Sequence, residues 1–475
     1  MGGPEAVRAH TPVALPATSA AALGALLGSR PFRRMAVATG SSALGDWIGF
    51  LAIIALTADI LGPTRAAAFA VSGVMTARVL PSLLLAPVAG VFVDRWDRKR
   101  VLIVTDLGRG VVMALIPFTE EILTLVLATL VIELLSALFA PAKDAVFPTL
   151  VRRDQLVTAN QVNLVLTYGA LPLAGIAFAL LVVAGERLAP VGSFLAERPV
   201  ALPIWFNAAS FAVSAAFIAV IPVRRDAAAT REAGEGVGAA FREGIAFVTG
   251  RPVIRVLIGG VMIAAAAAGV VISTGEFFAD LLNAGRSGFG ILVAAIGVGM
   301  VGGLVLAGPL SRRVRPEWLF PPALGGAGVG LALAAVAPGI LAAVPAAVLM
   351  GAGAGVVFIV GYTVLQQRAE DRIRGRVFGA FNAGVRIAIF GATVAVPFTI
   401  GLVGREGRVP DPDGTGTVFP YVFGGIRLTL LATAALTVLG ALLVVRVLRT
   451  ALRRERLAQA GDPADPVAGP RPRGM

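Results

Sequence analysis

Cysteine is absent from this 475-residue chain, which excludes disulfides, thiolate metal sites and cysteine nucleophiles. Histidine occurs once, as His10, in an Ala- and Pro-rich N-terminal stretch. Proton chemistry in the body of the chain therefore falls to Asp and Glu. Charge is sparse, at 15% of residues where a soluble domain carries about 25%. Acid is scarcer than base: 28 Asp and Glu stand against 41 Lys and Arg, for a net charge of +13. No Gly-x-x-x-x-Gly-Lys-Ser/Thr occurs, so the many glycines do not build a phosphate loop. Residues 1–30 lack the positive end, apolar core and small-residue cleavage site of a signal peptide, and read as a loose cytoplasmic arm.

What the chain has instead is apolar length. Hydrophobic residues make up 57% of it, gathered into long runs. A spanning helix needs about 20 mostly apolar residues. Twelve segments qualify. In the first half they are Met35–Leu61, Ala67–Val93, Val101–Phe118, Ile122–Ala142, Thr158–Ala184 and Ala201–Pro222. In the second half they are Val253–Leu282, Gly288–Leu310, Trp318–Ala337, Ile340–Gln366, Val377–Val403 and Tyr421–Val445. The third is short and has room to start inside the charged loop before it.

Loop charge sets the expected orientation. Most Lys and Arg fall in both termini and every second loop, while the opposite loops hold Arg65, Arg187, Arg198, Arg286, Arg405 and Arg408. Basic loops stay in the cytoplasm, so both termini are expected inside. Cations spread over many short loops suit anionic lipid rather than nucleic acid, which needs them clustered on a soluble face. The longest internal loop, Val223 to Arg251, separates six spans from six, and its Gly244–Val248 stretch is expected to form an amphipathic surface helix.

Gly90-Val-Phe-Val-Asp94-Arg95-Trp96-Asp97-Arg98-Lys99-Arg100 is a burst of charge between two apolar runs. Its lettering resembles the loop between helices two and three of the major facilitator superfamily, written G-x-x-x-D-R-x-G-R-R/K. Leu138-Phe139-Ala140-Pro141-Ala142-Lys143-Asp144-Ala145-Val146-Phe147-Pro148 resembles the fourth-to-fifth helix junction of one branch, that of the enterobactin exporters and macrolide efflux proteins. Asn207–Phe211, and Gln366 followed by Arg374–Phe378, fit the same branch. The resemblance implies an all-α membrane protein of twelve transmembrane helices in two six-helix bundles, with the substrate site between them. It places a flexible tail at 1–30, bundles at 31–222 and 253–447, a cytoplasmic linker at 223–252 and a cytoplasmic tail at 448–475. It also implies a cytoplasmic gate of Gly90, Asp94, Arg95 and Arg98, with Arg376 as partner for Asp94; the plainer reading of these charges is a topology signal with weak surface pairs. Where the family has Gly, this chain has Asp97, among the next most tolerant residues of a left-handed turn.

Other residues admit two readings each. Asp106 and Arg109, three apart on one helical face, form a structural pair or join the Asp94 gate network. Carboxylates within spans are costly and therefore suggest function. Asp46, Glu133 and Glu276 are the candidates for proton coupling, because a carboxyl kept from water can hold a proton and release it when water enters. Asp280, nearer the outer face, is expected to be simply hydrated, and Arg427 to snorkel there. Arg78 reads as structural. Arg386, Trp47, Phe50, Phe277 and Tyr362 are candidates for a substrate cavity. Gly169, Pro172 and Gly175 resemble a degraded exporter motif of helix five.

Together these imply a secondary transporter of the plasma (inner) membrane that exports a small amphipathic compound by proton antiport. The alternatives are an importer or a lipid flippase on the same fold, and, more remotely, a membrane-embedded enzyme or sensor. The expected partners are the lipid bilayer and a small-molecule substrate, with no nucleic acid. A proton gradient is expected in place of any cofactor, and a monomer is expected to suffice.

Overall fold

Helical runs dominate because a chain in lipid must satisfy its backbone hydrogen bonds internally. The computed structural model describes residues 20–61, 65–152, 155–188, 193–222, 237–311, 313–368, 374–403 and 425–460. A short α1 (Ala20–Gly28) precedes α2 (Arg30–Leu61), α3 (Arg65–Arg95), α4 (Arg98–Leu115) and α5 (Ile122–Val146). Then come α6 (Leu156–Tyr168), α7 (Ala170–Leu188), α8 (Ser193–Glu197) and α9 (Ala201–Ala219). After α10 (Val237–Gly250) the second half contains α11 (Pro252–Leu281), α12 (Gly285–Ser311), α13 (Pro316–Val336), α14 (Ile340–Arg368), α15 (Arg374–Val403) and α16 (Gly425–Ala460). Among the described residues, ten segments are long and apolar enough to cross a membrane, and α3 and α15 add the apolar stretches Phe69–Pro81 and Ala383–Val396. No strand occurs among the described residues.

Local chemistry accounts for several helix ends. The third span starts inside the charged loop, at Arg98. Asp97 is its N-cap, with φ −66° and ψ 105°, and its side chain accepts from the Arg100 N–H at 3.1 Å. No left-handed turn forms at Asp97; an acidic side chain serves there as a helix cap. In the fifth span α6 gives way to α7 at Gly169, whose backbone stays helical (φ −69°, ψ −12°) and donates to the Val165 carbonyl at 2.8 Å. Pro172 has no N–H to offer the carbonyl four residues back, so one helical bond is missing there. The last helix runs well beyond Val445, to Ala460, while its apolar, membrane-length part ends at Ala451. The stretch Gly244–Val248 is helical, within α10, which buries Phe247 in the second bundle's core beneath the guanidinium of Arg251, 3.9 Å from the ring.

The helices form two six-helix bundles, α2–α9 and α11–α16, whose main mutual contacts run α7 to α12, α3 to α15 and α2 to α11. A repeated device marks the duplication. Arg198, just before α9, donates to the carbonyls of Pro117 (2.7 Å) and Thr119 (2.5 Å) after α4. Arg427, at the start of α16, donates to those of Ala335 (2.9 Å) and Ala337 (3.1 Å) at the end of α13. Each arginine satisfies carbonyls that a helix end leaves open. Arg427 is therefore not a snorkelling residue: it is 5% exposed and serves as a cap.

The apolar core shows how the halves meet. Near the 95–100 loop, which we call the basic end, there are two separate cores. One holds Ala38, Leu102, Phe139 and Ile218, the other Phe247, Ile254, Phe320 and Leu448. Toward the far end one core spans both bundles and includes Phe178 and Val182 of α7 with Phe289 and Leu292 of α12. The seam is set by glycine. A Cβ on Gly175 would lie 2.5 Å from the backbone nitrogen of Ala294, and one on Gly290 would lie 2.7 Å from the Gly175 carbonyl oxygen. The bundles thus touch backbone to backbone at the far end and part toward the basic end.

Candidate functional site

Two charged clusters stand out inside this frame. The first lies within the first bundle. On α4, Arg109 donates to the Asp106 carboxylate one turn away, and both side chains are buried. The Arg109 guanidinium lies 4.4 Å from the Phe139 ring centre and 4.3 Å from that of Phe211. Its Nη1 is also 3.4 Å from Ser136 Oγ and 3.9 Å from Asp46 Oδ2 on α2. Aromatic faces attract a desolvated cation, and a buried charge persists only when it is well paired. α4 starts at Arg98, so at about 1.5 Å per residue Asp106 and Arg109 lie about 12 and 17 Å into the helix.

Beside that pair, Arg78 of α3 stands 3.7 Å from the Glu133 carboxylate of α5 and 4.6 Å from the Phe50 ring centre. Arg78 and Glu133 are 19% and 14% exposed, and Asp46 is 41% exposed, the most open carboxylate of the set. Asp46 lies on a helix held close to α9: a Cβ on Gly45 would fall 2.6 Å from Ser210 Cβ. Two arginines and three carboxylates from four helices therefore lie close enough to act on one another electrostatically, as two separate sets of ion pairs. A proton reaching Glu133 would weaken its hold on Arg78, and Arg78 retains the Phe50 face in either case.

The second cluster closes the far end. Arg286, at the start of α12, donates through Nε to Asp59 at the end of α2 (2.9 and 3.1 Å) and through Nη2 to the same carboxylate. This ion pair joins the two bundles. The α11–α12 turn makes it possible through two left-handed residues, Asn283 (φ 53°) and Gly285 (φ 56°). Glu276, on the last turns of α11, is 2% exposed, and its Oε2 has no hydrogen-bond partner among the described residues. Asp280, one turn farther out, is exposed.

The remaining sequence candidates fall in several places. Trp47 donates from Nε1 to the Thr167 carbonyl (3.1 Å) and meets Phe50 edge to face. Phe277 packs partly buried against the shared core, beside the far-end cluster. Tyr362 stacks on Phe358 and meets the Phe378 ring at 51° near the basic end of the second bundle, and Arg386 is exposed on α15. Gly169 lies at the joint of α6 and α7, and Pro172 and Gly175 lie in the seam with α12, Pro172 against Gly297. Gly90, Asp94, Arg95 and Arg376 lie on helices, but their side chains are outside the described residues, so the predicted pairing of Asp94 with Arg376 is too; Arg98 opens α4. Sequence reasoning missed the Arg78–Glu133 and Asp59–Arg286 pairs. The only signal was opposite charge within or at the end of spans far apart in the chain.

Comparison with known proteins agrees with this architecture. The model of the Major Facilitator Superfamily matches residues 35–393 and 259–471. The MFS-type transporter YfiS of Bacillus subtilis (strain 168) is 27% identical over 73% of this chain and 81% of its own. The putative bacilysin exporter BacE of Bacillus subtilis is 26% identical over 67% of this chain and 77% of its own. The multidrug efflux pump Tap of Mycobacterium tuberculosis is 27% identical over 73% and 81%. Among solved structures, an inward-facing bacterial homologue of the lysosomal transporter Spinster superposes with a TM-score of 0.69 at 16% identity, covering 89% of this chain and 98% of that one. The nucleoside transporter NupG gives 0.65 at 11% identity, covering 88% and 99%. With the family model matching most of its length, this chain belongs to the Major Facilitator Superfamily and is a membrane transporter, not an enzyme.

Proposed function

We propose that this transporter exports a small amphipathic organic compound, such as a drug, natural product or siderophore, in exchange for protons. The two bundles alternate in exposing a site between them. Both termini lie in the cytoplasm, so the basic end opens inward and the far end outward. The observation that carries the reading is the Arg78–Glu133 pair, a carboxylate and an arginine facing each other inside the membrane at 3.7 Å. Such a pair is costly to bury and useful where a proton must be bound and released. In this reading Glu133 is the principal proton carrier, with Asp46 as the accessible group beside it and Glu276 as a second carboxylate at the far end.

Export rests on the relatives described as exporting bacilysin and effluxing multiple drugs. The likeness to the nucleoside transporter is one of fold and says nothing of direction. Counterflow in proteoliposomes, run against a panel of amphipathic compounds with and without an imposed pH gradient, tests the proposal. Export driven by inward proton flow is expected; transport indifferent to the gradient refutes the antiport. A reporter fused near Arg231 is expected on the cytoplasmic side, and its appearance outside refutes the orientation.

A further inference from the structure

The far-end cluster carries an inference that rests on the alternating-access reading and deepens it. Arg286 is tied to Asp59 of the other bundle, while Glu276 and Asp280 belong to its own bundle. When the far end opens, Asp59 leaves with the first bundle, and Arg286 loses its partner. The carboxylates of α11 travel with Arg286. Asp280 is exposed and needs no partner, since water solvates it. Glu276 is sealed from solvent and has an unsatisfied carboxyl oxygen among the described residues. The charged groups acting on it are Asp280, Asp59 and Arg286, and Arg198 acts in turn on Asp59.

We propose that Arg286 exchanges Asp59 for Glu276 when the bundles part at the far end, which makes Glu276 the proton-binding residue of the far gate. In the closed arrangement described above, Arg286 is spent on Asp59 and Glu276 holds a proton, because an unpaired ionised carboxylate in that place is too costly to bury. In the open arrangement Glu276 gives up its proton to the water that enters and pairs with Arg286. Closing reverses both steps: Glu276 takes a proton from the outer solution and Arg286 returns to Asp59. Glu276 thus releases its proton to the outer side when the far gate opens and recovers one from the same side when it closes, so the exchange ties the gate to the outer pH without itself moving a proton across.

The absence of cysteine allows a direct test. Spin labels at Leu123→Cys and Leu341→Cys, at exposed far-end positions of α5 and α14 in opposite bundles, report the gate by their separation, with no cargo needed. In the otherwise wild-type protein, raising the pH from roughly 6 to roughly 9 is expected to increase the long-distance population at least about twofold. Glu276→Gln and Glu276→Leu are expected to hold the short distance across that range. Asp59→Asn should open the gate at every pH, and Asp59→Glu should keep it closed. Asp280→Asn should leave the pH response intact. A response that survives loss of Glu276, or disappears with Asp280→Asn, overturns the inference, as does an Asp59→Asn gate that stays closed. The two readings fail differently. A pH-indifferent gate in a protein that still shows proton-driven export refutes only the exchange at Glu276. A gate that responds to pH in a protein without such export refutes only the antiport.

Discussion

Arg78 of α3 stands between Glu133 of α5 and the ring of Phe50 on α2, 3.7 Å from the carboxylate and 4.6 Å from the ring centre. Neutralising Glu133 leaves the aromatic contact and removes the ionic one. Glu133→Gln is therefore expected to fold and to catalyse cargo counterflow, while uphill transport falls to the level measured without a pH gradient. Parallel measurements of counterflow and gradient-driven flux in proteoliposomes check this, and uphill transport at wild-type rate would dismiss Glu133 as carrier.

Asp106 and Arg109 should behave as one structural unit. Removing one member of a buried pair typically costs about 3–5 kcal/mol, because the other charge is left buried and unpaired. Arg109→Met strands the buried Asp106, whereas Asp106→Leu leaves Arg109 near Asp46 and two aromatic rings. The arginine variant is thus expected to have the lower Tm of the two. The double variant should be more stable than Arg109→Met alone, and thermal unfolding in detergent compares all three.

The seam between α7 and α12 predicts a steric effect. A side chain at Gly290 would press on the Gly175 carbonyl oxygen, on backbone that cannot rotate away. Gly290→Val is expected to destabilise the closed far end by about 1–3 kcal/mol. Labels at positions 123 and 341 should then show a larger separation at any pH. An unchanged distance would mean that the seam tolerates bulk.

Asp97 offers a clean separation of two roles. If it caps α4, Asp97→Ala should cost about 1 kcal/mol and Asp97→Gly only a few tenths. The negative φ at this position means that Gly gains nothing from its left-handed freedom. A Tm for Asp97→Gly above the wild-type value would contradict the cap.

Much of this molecule is readable from its letters because lipid permits so few solutions. Each apolar run had to be a helix, and the halves followed from loop lengths. The Asp106–Arg109 pair was visible because both residues sit on one helix, three apart. The Arg78–Glu133 and Asp59–Arg286 pairs were not, since each joins helices whose adjacency no local pattern encodes. Arg427 misled for a related reason. Its position near a helix start suggested escape to water, whereas the neighbouring helix end presented two open carbonyls that claimed it first. Asp97 was recognised as a departure from the family lettering, but its job as a cap depended on where α4 begins.

The glycine seam has a mechanical consequence. Contacts between bare backbones are held by dispersion, which loses a quarter to a half of its strength within about an ångström of separation. A joint of this kind does not stretch; it lets go. Molecules watched one at a time should therefore jump between a shut and a parted far end, like a snap fastener, and spend almost no time in between.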